Sequence, residues 1–245
     1  TYLYTFIIST IIGLFFLFFK KIEFKKIFIY EKILTVLFGY VFFPLIISIP
    51  FYFSIYNISF LNCYFEAISG FTSTGFTVFD NVKQIDQSLI LWRSTSQWIG
   101  GLYFLFSILL LIDIFDENLK KSLTNYFSLN SSEILKQSFK IIIIYLVLTL
   151  ISFIVLKIIN LRTFDAFNLS LTIVSSGGFL PVNNFSLLIQ NDVSKIVFSI
   201  LMLVSYFSLF LTYNLLFFNK KNINYLSEDF YLLVYLLIII SLFFV

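Results

Sequence analysis

The stretch SGFTSTGFT, residues 69–77, consists of hydroxyls, glycines and phenylalanines, carries no charge, and lies between two long apolar runs. A second stretch, VSSGGF at residues 174–179, repeats the pattern. Glycine adopts backbone angles that other residues avoid and leaves no side chain in the way. Extended backbone around Gly75 and Gly177 can therefore present rows of carbonyl oxygens along an open path. Carbonyls so arranged replace the hydration shell of a cation in a selectivity filter. The hydroxyls of Thr72, Ser73, Thr74, Ser175 and Ser176 can add oxygen ligands or brace the loops. A single Gly-Ser/Thr loop is more often a plain turn; its recurrence argues for a filter.

Composition says where such loops would sit. The 245 residues are 60% hydrophobic and 12% charged, whereas about a quarter of a soluble domain is charged. Several runs approach or exceed the ~20 apolar residues that span ~30 Å of hydrocarbon. The fold class expected is an all-α polytopic membrane protein embedded in a lipid bilayer. There is no His, and Cys63 is alone. Zinc sites, disulfides and His-dependent nucleophilic catalysis are thereby excluded. The net charge of +3 and the lack of a basic stripe argue against nucleic-acid binding. The excess of Phe, Ile, Lys and Asn over Ala and Arg reads as AT-rich coding bias, so the aromatic content needs no ligand to explain it.

Spans are expected at residues 2–19, 33–49, 89–112, 141–159, 196–218 and 230–245. Lysines cluster after the first, third and fifth spans, which puts those loops in the cytoplasm and residues 69–77 outside. Each external connection holds a semi-apolar piece, residues 61–71 and 163–174. At 1.5 Å rise per residue each reaches only about 17 Å, too short to cross. Non-helical backbone at membrane depth is tolerated where it is buried in protein or lines a water-filled cavity. The short helices would aim their partly negative C-terminal ends at that cavity. Ser73-Thr74-Gly75 pairs by residue type with Ser175-Ser176-Gly177, and Asn81 with Asn183 or Asn184, placing the matched glycines 102 residues apart. This is an internal repeat of span, pore helix, filter loop and span.

Two motif blocks then resemble a known family. FEAISGFTSTG, followed by LILWRSTSQWIGG, and later DAFNLSLTIVSSGGF, are similar to the Trk/Ktr/HKT superfamily of potassium-uptake transporters, in particular the bacterial Trk-type membrane subunit. Phe65, Glu66, Ser69, Gly70, Phe71, Thr74, Gly75, Trp92, Arg93, Gln97, Trp98, Gly100, Gly101, Asp165, Ala166, Ser175, Gly177, Gly178 and Phe179 fall in the family pattern. The family is built from four membrane-pore-membrane repeats around one pore. The resemblance divides the chain into residues 1–19, the end of an earlier helix pair; residues 33–112, a first repeat with pore helix 61–71 and filter 72–77; residues 137–218, a second with pore helix 163–174 and filter 175–179; and residues 230–245, the start of a third. It implies potassium as the transported ion, with Thr72, Ser73, Thr74, Gly75, Ser175, Ser176, Gly177 and Gly178 lining the filter and no cofactor. It also implies a bacterial inner-membrane location, a homodimer and a cytosolic nucleotide-binding regulatory subunit. Gly75 rather than Ser leans the reading toward potassium over sodium. Phe76, Asn62 and Cys63 depart from the usual pattern. Only two filter repeats are present, so the chain is expected to be part of a longer protein, with a native polypeptide of this length working as a homodimer as the rival.

Arg93, beside Trp92, is expected either to anchor at the interface or to brace the first loop; its five donors favour bracing. Glu66 is given the same supporting role. Gly100-Gly101 should permit close helix packing, and Pro44 and Pro50 should kink and end a span. Asp80 and Asp165 could draw cations to the mouth, whereas Asp113, Asp116 and Glu117 read as a solvated loop face. A homo-oligomeric channel with one filter per subunit fits two unequal loops less well, and a sodium- and potassium-permeable transporter of the same superfamily stays the alternative. A membrane enzyme lacks the convergent acids or metal ligands it would need.

Overall fold

The computed structural model describes residues 2–18, 28–54, 56–111, 134–189, 191–206 and 234–235. The expected third repeat start, the Asp113–Asp116–Glu117 group and the far end of the fifth span lie outside these residues, apart from residues 234–235. The described chain is helical: α1 (Tyr2–Phe18), α2 (Ile29–Tyr52), α3 (Phe60–Phe71), α4 (Gln87–Leu111), α5 (Ile134–Ile158), α6 (Thr163–Val174) and α7 (Asp192–Tyr206). Three helices contain stretches long and apolar enough to cross a membrane: Ile29–Tyr52, Gln87–Leu111 and Ser138–Ile158.

Hydrogen bonding inside each helix satisfies the backbone, so apolar side chains can face outward without cost in lipid. Many do: Leu34, Leu37, Phe38 and Val41 on α2 and Ile143, Leu146 and Leu150 on α5 are exposed. Pro44 and Pro50 both lie inside α2, which runs two residues past Pro50 before stopping. Contrary to expectation, neither proline ends the span by itself. At the other end of α2, the Phe28 backbone N–H donates to Glu31 Oε2 at 2.9 Å, satisfying a donor that helix geometry leaves open.

Three apolar clusters lie between the helices. Ile47, Phe51, Cys63, Ala67 and Phe71 join α2 to α3. Leu109, Ile144, Tyr145 and Val174 join α4, α5 and α6. Leu156, Ala166, Leu169, Ile173 and Phe198 join α5, α6 and α7. Aromatic donors on α4 and α5 find acceptors on the neighbouring helix. Trp92 Nε1 donates to the Ile47 carbonyl at 3.0 Å and Tyr103 Oη to the Val36 carbonyl at 3.0 Å, so Trp92 ties α4 to α2. Trp98 Nε1 donates to Thr149 Oγ1 at 2.9 Å and Tyr145 Oη to the Trp98 carbonyl at 3.1 Å, tying α4 to α5.

The repeat has a different register from the one residue types suggest. All four non-glycine residues with positive φ pair at a separation of 103: Asn57 (49°) with Asn160 (64°), and Ser73 (54°) with Ser176 (53°). The short helices α3 and α6, 12 residues each, and the 3-10 turns Val82–Gln84 and Phe185–Leu187 keep the same spacing. The structural counterpart of Gly75 is therefore Gly178, and that of Thr74 is Gly177. Matching Ser-Thr-Gly to Ser-Ser-Gly by type had slipped the two loops by one residue, because GlyGly offers two equal partners for one glycine.

Candidate functional site

Both loops leave their helices through the same device. Thr72 and Ser175 follow the last helical residues, and Ser73 and Ser176 take the left-handed conformation. The Ser73 N–H donates to the Gly70 carbonyl (2.9 Å) and the Thr74 N–H to the Ser69 carbonyl (2.9 Å). In the second loop the Ser176 N–H reaches Ile173 (3.0 Å) and the Gly177 N–H reaches Thr172 (2.8 Å). This is the Schellman closure, with serine where glycine is usual. It consumes the helix's late carbonyls and turns the chain into an extended strand. No described residue donates to the carbonyl oxygens of residues 72–75 or 175–178. Eight backbone acceptors are thus left unclaimed on the two strands.

The hydroxyls divide between bracing and open roles. Thr72 Oγ1 donates back to the Ile68 carbonyl at 2.8 Å and lies 2.7 Å from Thr74 Oγ1. Ser175 Oγ lies against the Leu171 and Thr172 carbonyls, at 3.0 and 3.1 Å. Ser73 and Ser176 make no side-chain hydrogen bond among the described residues. The strands meet at their glycines: a Cβ on Gly75 would come 2.8 Å from Gly178 Cα, and Gly75 has φ of 83°. Space and backbone angle both demand glycine there. Behind the strands, on the side of the helix C-termini, is a cavity of about 540 Å³ bounded by Thr72, Ser73, Ser175, Ser176, Tyr40 and Tyr145.

Glu66 and Arg93 are brought together and fully buried beneath the first loop. Arg93 Nε donates to Glu66 Oε1 at 2.7 Å. Arg93 Nη2 donates to Thr77 Oγ1 (3.0 Å), while Thr77 Oγ1 donates to Glu66 Oε1 (3.0 Å) and the Val78 N–H donates to Glu66 Oε2 (2.8 Å). The guanidinium lies 4.2 Å from the centre of the Phe179 ring, so it also touches the second loop. A charge at this depth is costly unless paired and hydrogen-bonded; α3 supplies the counter-charge through Glu66 and the loop adds hydrogen bonds through Thr77 and Val78.

The second repeat builds the same support from apolar residues. At the 103-residue offset Glu66 corresponds to Leu169, Thr77 to Leu180 and Val78 to Pro181, and α7 carries no arginine. The carboxylate disappears together with the N–H it accepts, since proline has none. Leu169 is completely buried. The exchange removes the carboxylate and the N–H it would accept together, so neither is left without the other.

No family model matches the chain. An uncharacterised cation transporter of Methanocaldococcus jannaschii is 34% identical over 166 residues, covering 64% of this chain and 33% of that protein. The Trk system potassium uptake protein TrkG of Escherichia coli is 41% identical over 46 residues, covering 19% of this chain and 10% of that protein. The crystal structure of the potassium transporter TrkH from Vibrio parahaemolyticus superposes with a TM-score of 0.61 at 22% identity, over 75% of this chain and 37% of that one. The chain is similar to Trk-family cation transporters over part of their length. It is a multi-pass membrane protein, and its relatives are transporters rather than enzymes. It spans about a third of the length of the Methanocaldococcus relative.

Within this chain the structure adds residues to which the sequence assigned no role. Gln97 is named there only as part of a motif, yet it is completely buried and its Oε1 accepts the Phe179 N–H at 3.3 Å. Asn183 joins the two outer loops: its Oδ1 accepts the Val82 N–H at 2.7 Å and its Nδ2 donates to Asn81 Oδ1 at 2.9 Å. Of the two copies the sequence offered for Asn81, the 103-residue register selects Asn184, and Asn183 is the contact partner. Asp165 lies beside Arg162, with Nε–Oδ2 at 3.2 Å, which ties up a carboxylate considered for drawing cations. A polar residue in an apolar helix such as α4 signals Gln97, but its partner lies 82 positions away and is invisible locally.

Proposed function

We propose that this chain forms two of the filter strands of a potassium-uptake transporter, with residues 72–75 and 175–178 as the ion-facing backbone. The observation that carries the reading is the pair of strands with unclaimed carbonyls, meeting at Gly75 and Gly178. Replacing a hydration shell needs oxygen dipoles that no internal donor has taken. Helix C-termini at the start of each strand favour a cation in the adjoining cavity. Transport is channel-like: the ion sheds water at the strands and moves down the membrane potential, which supplies about 2.3 kcal/mol per charge at 100 mV. The longer relatives support a pore completed by further repeats. A bacterial inner membrane, a homodimer and a cytosolic nucleotide-binding subunit belong to the same proposal by resemblance.

The test is uptake in a potassium-uptake-deficient cell expressing the full-length gene product. Gly75→Ser should lower rubidium uptake and weaken potassium-over-sodium preference at equal membrane abundance. Growth on low potassium with wild-type selectivity would remove Gly75 from the ion path. Sodium uptake equal to potassium uptake in the unaltered protein would make it a transporter of both cations.

A further inference from the structure

We propose that Gln97 is a positioning residue for the second filter strand, and that Gly177 lacks a side chain to make room for Gln97 rather than for an ion. The inference rests on the filter reading above. The atoms nearest a Cβ added at Gly177 are all from one side chain: Gln97 Oε1, Cδ and Nε2, all too close to coexist with it. The φ of Gly177 lies outside the positive range, so its backbone would accept an ordinary residue. Space alone demands glycine at this position, and one amide occupies that space. Gly178 is the reverse case: no Gln97 atom is among its near neighbours, and its nearest contact is Gly75 Cα on the facing strand.

The amide is oriented by what it touches. Oε1 takes the Phe179 N–H, which leaves Nε2 buried and without a partner among the described residues. Glutamine side chains are otherwise poor guests in a span, and this one is completely buried. It lies one helical turn beyond Arg93 on α4, so the two share a face. Arg93 holds the first loop through Thr77 and covers Phe179; Gln97 holds the second loop through the Phe179 N–H. One face of one helix thereby sets the position of both strands. The corresponding helix of the second repeat, α7 (Asp192–Tyr206), holds no glutamine, so it carries no copy of the device.

The experiment is a rescue series in the full-length gene product, read as rubidium uptake per membrane-resident protein and as potassium-over-sodium preference. Gly177→Ala should reduce uptake roughly tenfold, because its methyl group and the Gln97 amide contend for one space. Adding Gln97→Ala should return uptake to the level of Gln97→Ala alone, because the space for the methyl group is then open. Gln97→Ala by itself should lower the potassium-over-sodium preference, a readout that loss of folded protein does not move. Gly178→Ala should change the preference and gain nothing from Gln97→Ala. A Gly177→Ala variant no better with Gln97→Ala than without it overturns the seat. Unchanged preference in both Gly178→Ala and Gly75→Ser would instead overturn the filter reading beneath it, a result distinct from failed rescue.

Discussion

Glu66 and Arg93 carry more contacts than any other polar pair described in the chain, and they define a prediction at the residue scale. Glu66 accepts three hydrogen bonds, from Arg93, Thr77 and Val78. Glu66→Ala leaves a buried guanidinium without its counter-charge and frees the Val78 N–H. Breaking a buried pair in this way costs about 3–5 kcal/mol. The expected outcome is a large drop in the thermal unfolding midpoint of purified protein, with uptake lost in parallel. Glu66→Gln keeps an acceptor for Val78 and should fall between the two; an unfolding midpoint equal to wild type would show that the pair is not a brace. The apolar counterparts Leu169, Leu180 and Pro181 explain why the second loop tolerates having no carboxylate at all.

At the scale of elements, α4 is the shared wall. Its Gly100 lies against the Phe71 carbonyl at the end of α3, and Gly101 against Ser175 at the end of α6 and Tyr145 of α5. Adjacent glycines on one helix thus seat the C-termini of both short helices, so the close packing expected of the pair is directed at the filter. Gly100→Ala should cost about 1–3 kcal/mol, since its Cβ meets backbone that cannot rotate away. Gly13 on α1 has nothing within 4 Å of an added Cβ. Gly13→Ala should be neutral or stabilise by about 0.5–1 kcal/mol through helix propensity. Unfolding of the two variants in one detergent checks the contrast, and equal effects would contradict the packing described for α4.

At the scale of the whole molecule, the repeats are joined on their outer side by the Asn81–Asn183 contact and behind the strands by α4. Asn183→Ala removes the acceptor for the Val82 N–H and the donor to Asn81, a loss of about 1–3 kcal/mol for the stranded group. Hydrogen exchange at the Val82 amide should accelerate strongly, while exchange in α5 stays unchanged. Protection of Val82 at the wild-type level would show that the outer contact does not hold the repeats together.

Much of this was legible in the chain alone. Apolar length marks α2, α4 and α5 as spans because lipid leaves the backbone no partner but itself. The short pieces before the Gly-Ser/Thr loops, and the loops' recurrence, are local features of composition and spacing. Glu66 and Arg93 could be assigned supporting roles because a charge in an apolar segment requires a partner. What only the tertiary structure decided depends on which groups meet. The register of 103 follows from paired positive φ angles, which residue types do not encode when two glycines stand side by side. The partnership of Gln97 with Phe179, and the contact of Asn81 with one of its two candidate copies, join residues 82 and 102 positions apart. Burial and distance, rather than residue identity, make Gly178 the partner of Gly75 and leave Gly177 to make room for an amide.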